Sequence, residues 1–164
     1  MTEVRAHLDL VRLAGGSPMH SPSSSRSPVS VIEVSELSAQ DLWKAEDLPI
    51  ETRQQLMTAL ASGRPFVVKV PVAVDPKQGD PAVGWATVAF APSTTPAAAY
   101  YRGGLRISEV SGKTVHGYQA IVLTGTDALA AFLGDAEGPS HVNWSARTER
   151  FGGKYAQGQR LRSE

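Results

Sequence analysis

Cysteine is missing from this chain of 164 residues. Disulfides, thiolate zinc sites and a cysteine nucleophile are therefore excluded within it, and the absence fits a cytoplasmic setting. Net charge is missing as well: sixteen basic residues cancel sixteen acidic ones. No overall field draws the chain to nucleic acid or to an anionic membrane, which leaves only a local basic patch for such a role. No apolar run approaches the roughly 18 residues that would span a bilayer, so no membrane partner is expected. The first 14 residues carry Glu3, Arg5, Asp9 and Arg12 and hold no apolar signal-peptide core.

Several chemical signatures are absent too. "SGKT" at 111 to 114 lacks the glycine five positions before its Gly-Lys pair, because position 107 is Ile. It reads as a hairpin turn rather than a phosphate loop. "RGG" at 102 to 104 could wrap an anion with backbone amides, but a glycine pair opening a strand is first of all a turn. The histidines His7, His20, His116 and His141 match no zinc spacing. No Gly-x-Ser-x-Gly elbow occurs, and Ser140 beside His141 is adjacency rather than a triad. No cofactor is implied.

What is present suits a globular domain: 41% of residues are hydrophobic and 20% charged. Residues 1 to 14 form a short segment with marginal helical spacing, and the Ser/Pro/Gly-rich stretch 15 to 28 reads as a flexible linker. Residues 29 to 164 then form one domain. Its β-branched opening, 29 to 37, predicts a strand, and a helical turn capped by Ser38 follows. Pro49, Ile50, Leu56, Met57 and Leu60 predict a helix stopped by Gly63 and Pro65. In "FVVKVPVAV" (66 to 74), Val68, Val70, Val72 and Val74 share one face, read as the single buried one. Pro71 places that strand at an edge or bulge.

Residues 82 to 91 complete a long hairpin with 66 to 74, and "PSTTPAAA" reads as a loop. "YYRGGLRISEV" predicts a turn and then a strand, and "VHGYQAIVLT" a further strand. "TDALAAFLG" predicts a helix capped by Thr126, with Leu129, Phe132 and Leu133 on one face and Gly134 as its stop. The sum is an α+β fold: a mostly antiparallel sheet of about five strands covered by two or three helices.

The chemistry-bearing stretch is "AFLGDAEGPSHVNWSARTERF", 131 to 151. Asp135, Glu137 and His141 form a conceivable ligand trio, although a solvated acidic loop has the same composition. Trp144 is expected to be largely buried on Leu129 or Phe132, with Asp135 and Glu137 exposed, because an indole drives docking while an acid has no local reason to leave water. The tail beyond it is basic, with Arg147, Arg150, Lys154, Arg160 and Arg162 interleaved with Phe151 and Tyr155. It could serve nucleic acid by phosphate pairing and stacking. The neutral whole, which supplies no supporting field, favours the alternative that its aromatics anchor it while its charges stay wet.

The order of three signals, "YYRGGLRISEV", "GYQAIVLTGTDALAAFLGDAEGPSHVNWS" and "FGGKYAQGQRLR", resembles a region of large bacterial proteins that carry a GHKL-type ATPase module, the class of gyrase B, histidine kinases and heat-shock chaperones. There a similar "LLGDAE-x-P-x-H-x-x-W" stretch follows the nucleotide-binding half and ends in "F-x-G-K-Y-x-x-G". The matching residues here are Leu133, Gly134, Asp135, Ala136, Glu137, Pro139, His141, Trp144, Phe151, Gly153, Lys154, Tyr155 and Gly158. The match covers about residues 100 to 160, is weaker from 29 to 99, and does not reach 1 to 28.

The resemblance implies a region packed after an ATPase domain that couples nucleotide state to a partner. That class binds nucleotide through an Asn-containing helix, an Asp-x-Gly-x-Gly loop and a glycine-rich lid, and none of these is in this chain. No ATP-site residue carries over. Three functions are therefore expected to compete. One is a non-catalytic accessory or interaction domain, with Asp135, Glu137, His141, Trp144 and Lys154 as its docking loop. Another is a small enzyme centred on His141. The last is a nucleic-acid module using the basic tail.

Overall fold

The computed structural model of the chain describes residues 29–34, 48–112, 114–145 and 147–155. The segment 1 to 14, the linker 15 to 28, the Ser38 turn and the tail positions Gly158, Arg160 and Arg162 lie outside them. The fold is α+β. Among the described residues six strands, one more than expected, form one sheet in the order β1-β2-β3-β6-β4-β5. They are β1 (Ser30–Glu33), β2 (Phe66–Val74), β3 (Ala82–Pro92), β4 (Ala97–Arg102), β5 (Leu105–Ile107) and β6 (Tyr118–Thr124). The helices among the described residues are α1 (Ile50–Ala61) and α2 (Ala128–Ala136).

Three of the strand pairings are antiparallel, while β1·β2 and β4·β6 are parallel. The hairpin β2·β3 forms as expected, with Phe66 opposite Phe90 and Val74 opposite Ala82. Pro71 lies past Lys69, the last β2 residue paired to β1, where its missing N–H interrupts no β1 ladder.

Strand alternation sorts the sheet into two faces. The even-numbered residues of β2 meet both helices. Phe66 and Val68 pack with Ile32, Val34, Ala59 and Tyr118 at the α1 end. Val74 packs with Leu129, Phe132, Leu133, Ala136 and Phe151 at the α2 end. Aromatic rings tie the first cluster: Phe66 stacks on Phe90 at 4.8 Å, and Tyr118 donates its hydroxyl to the Leu60 carbonyl at 2.7 Å. The expectation of a single buried face on β2 needs correction. Val67, on the opposite face, is buried in a row with Ala89 and Ile121, because Val29, Ala91, Tyr101 and Leu123 pack against that row. Farther out on that face, Val31, Val83 and Trp85 remain exposed.

Two local readings change. The alanines of 97 to 99 are strand rather than loop. Alanine has little strand preference of its own, so it is the ladder to β6, Ala97 against Gln119 through Arg102 against Thr124, that imposes the extended chain. The "SGKT" stretch is not a hairpin turn, because β5 and β6 are not neighbours; β4 lies between them. The true tight turn is Gly103-Gly104, with φ of 53° and 84°, which joins Arg102 to Leu105. Positive φ at both central residues is what such a two-residue hairpin demands.

The start of α2 is set by Asp127 rather than Thr126. The Asp127 carboxylate accepts from Ala130 N at 3.2 Å, the bond of an N-cap, and from Trp85 N at 2.6 Å. Strand β6 ends at Thr124 opposite Ala86, so Asp127 takes up the next β3 amide along. Gly84 beside it is required by this approach: a Cβ there would stand 2.4 Å from Leu129. Gly134 is not the stop. The helix runs on to Ala136, and Gly134 lies 3.4 Å, measured from where a Cβ would be, from the Arg102 guanidinium.

Candidate functional site: a closed carboxylate hub

Helix α2 ends at Glu137, whose backbone leaves the helical region at ψ 134°. The chain then makes a turn, with His141 N donating to Gly138 O at 3.0 Å, and returns so that Glu137 and Trp144 form an antiparallel bridge. Ser145 N closes this loop on Ala136 O at 2.7 Å. Inside it, His141 has φ of 54°, the only positive φ at a non-glycine among the described residues. Left-handed backbone costs an L-residue energy, so the surrounding contacts must hold His141 there.

Those contacts converge on Glu137, which is 1% exposed against the expectation that it would be solvated. Arg102, on β4, donates Nε to Oε1 and Nη2 to Oε2, the second at 2.7 Å. His141 Nδ1 lies 2.7 Å from Oε2, and Trp144 Nε1 donates to Oε1 at 3.3 Å. Four polar contacts thus fill the roughly four lone-pair sites of one carboxylate. Burial alone pushes the Glu137 carboxyl up, but the hydrogen bonds from Arg102, His141 and Trp144, with the Arg102 charge, outweigh it and hold the group at about 2. The bond to Glu137 in turn raises the Arg102 guanidinium above its ordinary value, against the opposing effect of burial. The reason the acid leaves water is 35 residues away in sequence, on another strand.

Trp144 docks, though not as deeply as expected. It is half-buried against the Leu129, Phe132 and Phe151 cluster, and its indole stands edge-on to Tyr100 at 6.1 Å. The 108 to 112 loop braces the same corner: Glu109 N donates to Val142 O at 2.7 Å, and Asn143 Nδ2 to Glu109 at 3.1 Å.

Asp135 is not part of this hub. Its carboxylate accepts from Lys154 Nζ at 3.1 Å and from the Tyr155 hydroxyl at 2.7 Å, where the expectation was an exposed acid. Burial first, and then Asp135, raise the Tyr155 hydroxyl to about 12. This contact fastens the segment 147 to 155 across α2, with Phe151 buried and Lys77 N donating to Lys154 O at 2.8 Å. Arg147 and Arg150 stay exposed. The trio of Asp135, Glu137 and His141 is therefore split. Among the described residues no group of three His, Asp or Glu side chains could hold a metal ion. His116 is exposed, away from the hub, whereas His7 and His20 lie outside the described residues.

Of the sequence candidates, Glu137, His141 and Trp144 come together, and Asp135 pairs with Lys154. Arg102 was missed, read only as the residue before a glycine turn. The signal that could have found it is alternation: Arg102 shares the helix-covered face with Tyr100, and a cation on that face needs an acid.

Among the described residues no helix is long and apolar enough to cross a membrane. Comparison with family models, with curated proteins and with solved structures finds no match to this chain.

Proposed function

We propose that this chain is a non-catalytic accessory domain that docks on a partner protein in the cytoplasm, of the kind that follows a GHKL-type ATPase module, and that it helps couple nucleotide state to that partner. The observation that carries this reading is the saturated Glu137 carboxylate. Both its oxygens are occupied by Arg102, His141 and Trp144, so the central acid of the motif has no lone pair left for a substrate or a metal. The other matched residues are fasteners of the same kind. Leu133, Ala136 and Phe151 are buried, and Asp135, Lys154 and Tyr155 bind one another. A motif spent on rigid support suits a docking scaffold better than a reaction centre. Exposed apolar side chains for contact, Val83 and Trp85 among them, remain on the outer surface.

The test is a calorimetric titration of the purified chain with magnesium ATP, followed by gel filtration with a GHKL-type ATPase module of the resembled class. No saturable heat and a co-eluting complex are expected. Micromolar ATP binding by the chain alone would overturn the reading.

A second reading, a small enzyme using His141 as general base, has one observation in its favour. The His141 side chain, carried on a left-handed backbone, is 43% exposed and is oriented through Nδ1 by Glu137, as the acid of a His–carboxylate pair orients its base. That reading requires an activity which His141→Ala destroys while the fold survives.

A further inference from the structure

We propose that the face of the sheet turned away from the helices is the docking site of the chain's own N-terminal segment, residues 1 to 14, which lays Val4, Leu8 and Val11 across the row Val67, Ala89 and Ile121. The observation that carries it is burial without a described cover. Val67 is 4%, Ala89 0% and Ile121 1% exposed. Yet both described helices lie on the other face, with Phe66, Val68 and Val74. The 108 to 112 loop and the segment 147 to 155 lie there too, braced on Val142 and on α2. Ile121 is the most telling of the three. Its lateral neighbours are Ala89 and Ala99, which rise no higher than one methyl. Side chains stand roughly perpendicular to a sheet, so an isoleucine between two alanines would stand proud of both on an uncovered face. Val29, Ala91, Tyr101 and Leu123 close the sides of the row, but they belong to the same layer and are themselves half-buried. A further layer must lie on top.

Where the chain leaves the described residues says which segment supplies it. Residues 35 to 47 depart from Val34 and return at Leu48, both packed in the cluster under α1. Residues 156 to 164 depart from Tyr155, whose ring packs on Phe132 at 4.7 Å on the α2 side. Of the three longer stretches, only 1 to 28 arrives on the opposite face, at Val29, which packs against the buried row itself. Its sequence holds what the row lacks. Val4, Leu8 and Val11 recur at helical spacing, with Glu3, Arg5, Asp9 and Arg12 off that stripe. A helix over residues 2 to 14 would be about 20 Å long. From Val67 on β2 to Ala99 on β4 the face is four strands wide, about 14 Å at the usual strand spacing. The stretch 15 to 28 reaches about 45 Å when extended, ample for a return across the sheet from Val29. Val31 on β1, and Val83 and Trp85 on β3, stay exposed around the row, so the cover has the width of one segment and is not a full layer. The inference stands whether or not the accessory-domain reading does.

The experiment is paramagnetic broadening in the full chain. Because the chain has no cysteine of its own, Ala6→Cys takes a single nitroxide label, and at helical spacing position 6 lies opposite the Val4, Leu8 and Val11 stripe. The expected result is strong broadening of the Val67, Ile121 and Leu123 methyl resonances and much weaker broadening of Leu129 and Leu133 on the helix face. It should persist on dilution. Adding Leu8→Asp, which puts a charge into the stripe, should abolish the broadening, and unchanged Leu129 and Leu133 shifts report that the rest of the domain is intact. No broadening at the row would overturn the proposal, since another segment would then be the cover. Broadening that survives Leu8→Asp would overturn it too, because the apolar stripe would not be what docks. So would broadening passed from labelled chains to unlabelled ones in a mixed sample, which would make a second copy of the chain the occupant.

Discussion

Two arginines divide this molecule. Arg102 lies at the Glu137 hub, under α2, with its Nε and Nη2 engaged by a fully buried carboxylate. Arg53 lies on the far side of the domain, on α1, with its Nε equally shielded from water and unpaired. The chemical need is the same in both places, since a desolvated N–H must find an acceptor or weigh against the fold. At the hub the need is met from within the chain, and the outcome is a rigid corner joining β4, α2 and the 137 to 144 loop. On α1 the Arg53 Nε finds no acceptor among the described residues, while the flanking Ile50 and Met57 stand in water. Satisfied polar contacts thus mark what holds this protein together.

The sharpest way to break this comparison is to empty the hub. Glu137→Ala leaves the Arg102 charge with no partner under α2, and loss of one member of a buried pair costs about 3–5 kcal/mol. Urea melts should show this as a large fall in midpoint, with Glu137→Gln between mutant and wild type. The pH dependence has a defined sign. Glu137 is held at about 2 against an ordinary value of 4.5, so its contribution is complete above 4.5 and is lost as pH falls through 2. At one pH unit per 1.36 kcal/mol, that contribution is on the order of 3 kcal/mol. Melts at pH 7 and pH 2.5 should diverge less for Glu137→Gln than for wild type. Parallel acid limbs would mean that Glu137 is not the titrating keystone.

Next in size is Trp144→Ala. A half-buried indole set edge-on to Tyr100 should cost about 2 kcal/mol. If the variant unfolds at the wild-type midpoint, the docking of this loop is wrong and Trp144 is free for a partner.

A smaller effect separates side chain from backbone at His141. His141→Ala loses the bond to Glu137 and keeps a Cβ at φ of 54°. His141→Gly loses the same bond but removes the left-handed strain. The glycine variant should therefore be the more stable of the two, by about 1 kcal/mol. The reverse ranking would show that position 141 is not left-handed in solution.

The smallest effects are expected on α1. Arg53→Gln and Met57→Ser should each change stability by less than about 0.5 kcal/mol, because the Arg53 Nε has no acceptor among the described residues and Met57 is 68% exposed. A loss above 1 kcal/mol for Arg53→Gln would show that Arg53 already has an acceptor, and the contrast between the two arginines would collapse.

Much of the frame was legible in the residues. The alternation in 66 to 74 and 82 to 91 named the central hairpin and its helix-covered face, because a period of two is written locally. Ile50, Leu56 and Leu60 marked α1, and Leu129, Phe132 and Leu133 marked the buried side of α2. Trp144 was legible as a docking residue from its size alone. Glu137 was not, since nothing within several residues of it explains why an acid should leave water. The strand at Ala97 to Ala99 was hidden for the same reason: its extended form comes from β6, not from alanine.

The sequence by itself determined the α+β class, the hairpin, the two described helices and the absence of thiol chemistry within this chain. Each of these depends on residue type and short-range period. Only the tertiary structure decided that Asp135 and Glu137, two residues apart, serve different partners, that Arg102 is the counter-charge of the loop, and that the Arg53 Nε finds no acceptor among the described residues. Those outcomes depend on which side chains the sheet order brings within 3 Å of one another. That order, with β4 inserted between β5 and β6, is set by the pairing energy of whole strands and not by any residue read in turn.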